Sequence, residues 1–116
     1  MRKMLLLLSG ICWTAALMAQ SYNITFRLNM NEVTGTFTTP EVNGTFNGWC
    51  GSCNPMTDTN GDGIWKTTIS LPAGTYEYKF SHDNWAGQET LVPGSSCTIT
   101  TGSFTNRKVT VTADAT

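Results

Sequence analysis

The chain has one histidine, His82, and no G-x-S-x-G serine context. That scarcity leaves acid–base and nucleophilic catalysis little to build on. Carboxylates are present, but no pair is set apart for glycoside hydrolysis. After Gln20 no segment sustains a helical period, so helices are not expected. Basic runs are missing too. Arg2 and Lys3 lie at the N-terminus, and without them five basic residues face eight acidic ones, a net charge of −3. Such a domain lacks the electrostatic footprint for nucleic acid or an anionic membrane surface. A neutral polymer suits it better than a charged one. Ala, Leu, Lys and Glu are scarce in this part, whereas Thr, Gly, Asn and aromatics abound. That composition favours strands and turns.

The one long apolar run is N-terminal. Arg2 and Lys3 precede Leu5–Leu8 and an apolar stretch to Met18, and Ala19 offers a small residue for cleavage. This is the grammar of a signal peptide over residues 1–20, cut after Ala19 or after Gln20. Ser9, Gly10 and Thr14 break the run, which is short for a membrane span; an uncleaved anchor is the alternative. Export implies a secreted or cell-surface location, with no membrane contact after cleavage. Residues 21–116 then form a single domain with one modest core. No internal repeat divides it.

Alternation within that domain predicts strands. In Tyr22–Met30, Ile24, Phe26, Leu28 and Met30 share one face. Val42, Gly44 and Phe46 suggest a second strand, ending at Asn47-Gly48. Trp65, Thr67, Ile69 and Leu71 suggest a third. Pro72 and Gly74 mark a turn. A fourth strand, Thr75–Ser81, turns Tyr76, Tyr78 and Phe80 one way and Glu77, Lys79 and Ser81 the other. A last strand, Arg107–Thr112, directs Val109 and Val111 inward. The tail beyond it reads as a frayed end or the start of a further element. Strands at this spacing argue for an all-β sandwich.

Trp49 and Trp85 continue no inward alternation. An indole face is flat and electron-rich, and it complements the slightly positive C–H face of a pyranose. The competing role is packing at the ends of the sandwich. Trp65 differs, because it shares its face with Ile69 and Leu71 and reads as core. Lys79, on an outward face, is either a solubilising charge or a donor to sugar hydroxyls beside Trp85. Asp58, Asn60 and Asp62 match the start of a calcium loop, but the twelfth position is Ile69 rather than Glu. A tight hairpin turn explains the same residues. Cys12 falls in the leader, leaving Cys50, Cys53 and Cys97, which oxidise in an exported chain. Cys97 can pair with Cys50 or Cys53, or these two pair locally; one cysteine is left over either way. The C-x-x-C spacing lacks the βαβ setting of a redox motif, and zinc would require His82 as a further ligand. His82 and Asp83 read as turn residues.

Two stretches carry a family resemblance. Glu41-Val42-Asn43-Gly44-Thr45-Phe46-Asn47-Gly48-Trp49 is similar to the G-x-F-N-x-W turn of early-set α-glucan-binding domains. Ile69–Phe80 resembles the L-P-x-G-x-x-x-Y-K-F hairpin that follows it. The relatives are carbohydrate-binding module family 48 and the glycogen-binding domain of the AMP-activated protein kinase β subunit. The resemblance implies an immunoglobulin-like sandwich without enzymatic activity or cofactor, binding an α-glucan such as glycogen or starch. It implies Trp49 and Trp85 as sugar platforms, with Lys79 and Asn106 as polar contacts. The Cys50–Cys53 segment and the loop Gly87–Gly102 depart from that pattern. A structural module spacing other domains of a larger exported protein, without glycan affinity, is the alternative.

Overall fold

The computed structural model describes residues 20–116. Apart from Gln20, the expected signal peptide lies outside the described residues. Every regular element among them is a strand. β1 (Ser21–Asn29) pairs antiparallel along its whole length with β3 (Ile64–Pro72). The second sheet has the order β2 (Pro40–Gly44), β4 (Gly74–His82), β7 (Phe104–Val111), β6 (Thr98–Thr101), and the short β5 (Gly87–Gln88) pairs with the end of β4. The two sheets form an all-β, immunoglobulin-like sandwich.

Alternation explains the core. A strand sends successive side chains to opposite faces, so one apolar set per strand is buried. Ile24 and Phe26 of β1, Leu71 of β3, Val42 of β2, Phe80 of β4 and Val111 of β7 meet there, joined by Met56 from a loop. Phe26 sets its ring edge-on to Tyr78, with centroids 5.1 Å apart. Trp65 packs against this cluster from the rim, as its face requires. Two strands do not cover the full inner face of a five-stranded sheet. Arg107 helps close the remainder. It is the register partner of Tyr78, stacks 5.5 Å from the centre of Phe80 and grips the Glu89 carboxylate at 2.7 Å. That bidentate pair holds the guanidinium proton even more firmly than usual.

The differences from expectation are local. β2 ends at Gly44, before Asn47-Gly48, because the Asn47 side chain captures the amide of Gly44 and turns the chain away. β5 and β6 are additions, and β7 begins at Phe104 rather than Arg107. The tail is not frayed: Ala115 lies parallel to Ile24, accepting from the Thr25 amide (2.9 Å) and donating to the Asn23 oxygen (3.1 Å).

Candidate functional site

The loop after β2 is built by its own side chains. A Cβ on Gly44 would fall 2.6 Å from the Glu77 carbonyl oxygen and into the Phe46 ring, so glycine lets the strands approach. Asn47 then acts as an internal cap. Its oxygen accepts from the amides of Gly44 (3.0 Å) and Trp49 (3.2 Å), while its amide nitrogen donates to the Val42 carbonyl (3.1 Å) and to Asn54 Oδ1 (2.8 Å). The chain folds back over the outer face of β2. Trp49 is delivered there with φ of 58°, a left-handed conformation that strains a bulky residue by about 1–2 kcal/mol. A Cys50–Cys53 disulfide closes the next turn.

The β4–β5 connection carries the second tryptophan. Asp83, Asn84 and Trp85 have φ of 50°, 54° and 66°. Asp and Asn tolerate this region, because their short polar side chains bond locally; Trp does not. The geometry persists because neighbours over-determine it. The Asp83 carboxylate accepts from the amides of Thr38 (3.0 Å) and Thr39 (2.8 Å) and meets His82 Nδ1 at 2.9 Å. Those amides, with the His82 contact, hold its carboxyl below the ordinary range. Asp83 is thus a turn residue, as the sequence suggests, whereas His82 is the last residue of β4, paired with Pro40 and Gly87, and not part of the turn.

Beneath both loops lies a buried polar network. Glu41, only 3% exposed, accepts from the Asn84 amide at 2.8 Å and from the Ser81 hydroxyl at 3.1 Å. Asn43 donates to Ser81 Oγ at 2.7 Å and accepts from the Gly51 amide at 2.6 Å. Four side-chain bonds therefore tie the Trp85 loop, through Ser81, to the Trp49 loop. No buried side-chain nitrogen or oxygen among the described residues lacks a partner. The indole N–H of Trp85 closes the circuit by donating to the Trp49 carbonyl at 3.2 Å.

These loops wall a cleft of about 510 Å³ on the outer face of the larger sheet. Trp49, Trp85, Lys79 and Asn106, the residues singled out from sequence, all line it. Both indoles are half-buried, leaving part of each ring open. Lys79 lies across from Asn43 on β4, and Asn106 follows on β7. The Asn106 amide donates to Glu77 Oε1 at 3.3 Å, so a carboxylate, an amide and an ammonium share the floor. Sequence reasoning missed Thr45, Glu77, Gln88, Thr101 and Phe104, which also line the cleft. Glu77 was within reach, because it shares the outward face of β4 with Lys79.

The other candidates resolve into local structure. Asp58 accepts from the amides of Asp62 (3.2 Å) and Gly63 (2.9 Å), and Asp62 accepts from Ile64 (2.9 Å) and from the Asn60 amide (3.3 Å). These oxygens brace the turn into β3, and the Ile64 amide lowers the Asp62 carboxyl below its usual range. Ile69, the twelfth position, packs on the core. Among the described residues no three His, Cys, Asp or Glu side chains are grouped to hold a metal. Cys50 and Cys53 bind each other, which removes them as zinc ligands and leaves Cys97 exposed and free. The long-loop pairing of Cys97 is therefore not the one formed.

Residues 31–116 match the family described as the pullulanase X25 domain, and the chain belongs to that family of carbohydrate-binding-like domains. The match is to this family, not specifically to carbohydrate-binding module family 48 or the kinase β subunit. No curated protein matches the chain.

Proposed function

We propose that this pullulanase X25-family chain is a non-catalytic, exported module that binds a neutral polysaccharide, of the α-glucan class that includes glycogen and starch. The observation that carries the reading is the convergence of two half-open indoles with Lys79, Glu77 and Asn106 in one cleft. Sugar C–H faces stack on the indoles. Lys79 and the Asn106 amide donate to hydroxyls, while Glu77 and amide oxygens accept from them, so a polyhydroxylated neutral ligand finds both partners. The strained loops are held by the buried network before any ligand arrives, which cuts the ordering cost of binding. The site is shallow and the affinity correspondingly modest. The disulfide and the N-terminal leader grammar support an extracytoplasmic setting. The resemblance of the two motifs to α-glucan-binding domains supports the linkage.

Affinity gel electrophoresis against glycogen, starch and a β-glucan tests this. Retardation by the α-glucans, lost in the Trp49→Ala, Trp85→Ala double variant, is the expected result. A folded protein that no glycan retards would instead be a spacer module of a larger exported protein.

A further inference from the structure

Among the described residues, Phe104 is the largest apolar side chain left in the open, at 68% exposure. It lies at the start of β7, just past the Gly102 turn, where its register partner is Thr101. Alternation puts it on the same outward face as Asn106. Nothing in the core uses it. A single exposed phenylalanine is unremarkable on a protein surface. This one lines the same cleft as Trp49 and Trp85. The two tryptophans share one side, being joined by the Trp85 indole bond to the Trp49 carbonyl. Trp49 follows β2, whereas Phe104 is on β7, two strands away in the order β2, β4, β7. Adjacent strands are spaced by about 4.8 Å, so the backbones of β2 and β7 run roughly 10 Å apart, and the tryptophan loops and Phe104 reach the cleft from different strands. The polar floor of Lys79, Glu77 and Asn106 fills the interval. A single sugar ring stacked on the indoles does not also lie against Phe104, whereas a further ring of a short chain can.

We infer that Phe104 is a third aromatic wall that makes the cleft selective for chain length, favouring oligosaccharides long enough to cross from the tryptophan pair to β7 over single sugars and disaccharides. This rests on the glycan-binding reading above. The ligand lies across the strands. One end stacks on the indoles, its middle hydroxyls meet Lys79, Glu77 and Asn106, and a further ring lies against Phe104. Phe104 contributes only when the chain is long enough to arrive there, so its removal acts on long ligands alone.

Titration calorimetry of the full chain with maltose, maltotriose and maltoheptaose tests the inference. Affinity is expected to rise about tenfold from the disaccharide to the heptasaccharide. Phe104→Ala should erase most of that rise while leaving maltose within about twofold, and Phe104→Trp should restore it. Because the side chain is exposed, the thermal midpoint of each variant should stay at the wild-type value. Two results overturn the inference but leave the glycan reading intact: equal wild-type affinity for all three ligands, or an unchanged series in Phe104→Ala, with Trp85→Ala abolishing binding in either case. Binding of none of the three, and of no polymer, overturns both.

Discussion

The indole nitrogen of Trp85 donates to the main-chain oxygen of Trp49 across 3.2 Å, joining two residues that both hold left-handed backbone conformations. Each tryptophan thereby stabilises the loop that presents the other. Trp85→Phe keeps an aromatic face and removes the donor. The lost bond is worth about 1 kcal/mol, or roughly fivefold in an equilibrium. Glycogen affinity should fall by about that factor, less than in Trp85→Ala, and amides of the Trp49 loop should exchange faster with solvent. A Phe variant with wild-type affinity and protection would show that the two rings act independently.

Glu41 is the hinge of the network under the cleft. Glu41→Ala strands the Asn84 amide and the Ser81 hydroxyl without their partner in a buried setting. The expected loss is about 2 kcal/mol of stability, a fall of roughly 10 °C in Tm for a domain of this size. Glu41→Gln retains an acceptor for Asn84 and should lose less. Glycan binding should weaken in the same order. Equal losses in both variants would assign the effect to charge rather than to hydrogen-bond geometry.

The parts of the fold legible in the sequence were those with a clean period of two. β1 and β4 carry apolar residues at every second position, β3 does so apart from Thr67, and the core uses those residues. β6 reads Thr-Ile-Thr-Thr, and Ile99, its one apolar residue, pairs with Asn106 on the outward side, so no inward alternation marks it. Phe104 was missed for the same reason, as it belongs to the hairpin that β6 begins. Trp49 and Trp85 stood out because they interrupt alternation. Glu41 and Asn43 hold polar positions in a predicted strand, where pattern alone turns one face to solvent. They are buried because the Trp49 loop folds back across them, a contact between segments that local periodicity does not record. Cysteine pairing was equally closed to spacing arguments, since three cysteines permit three bonds.

The Cys50–Cys53 bond follows Trp49 directly, and Gly51 between its ends donates to buried Asn43. A four-residue ring restrains the unfolded chain by about 2 kcal/mol in the chain-entropy model. Replacing both cysteines by serine should lower Tm and weaken glycan binding through the Trp49 loop. A phosphine reductant should lower the Tm of the wild type and leave the double serine variant unmoved. Cys97→Ser, at an exposed free thiol, should change neither property. A reductant effect of equal size in the double serine variant would place the sensitivity outside this bond.

Acid should loosen the site from the Trp85 side. The amides of Thr38 and Thr39 stabilise the charged form of Asp83, so its folded pKa lies below the ordinary 3.8; Asp62 is lowered likewise by the Ile64 amide. A carboxyl with a depressed folded value binds its proton more readily in the unfolded chain. The stability it lends is therefore complete above the ordinary value and is lost as pH falls through the folded one. Unfolding midpoints should be flat from neutral pH down to about pH 5, then fall below about pH 4. Asp83→Asn should flatten part of that acid decline at the cost of lower stability at neutral pH, because the neutral amide accepts the Thr38 and Thr39 bonds less strongly. Amides of residues 38 and 39, which donate to Asp83, should be the first to lose exchange protection in acid. If the acid decline in Asp83→Asn matches the wild type, Asp83 does not couple the loop to pH, and the remaining carboxylates carry the whole effect.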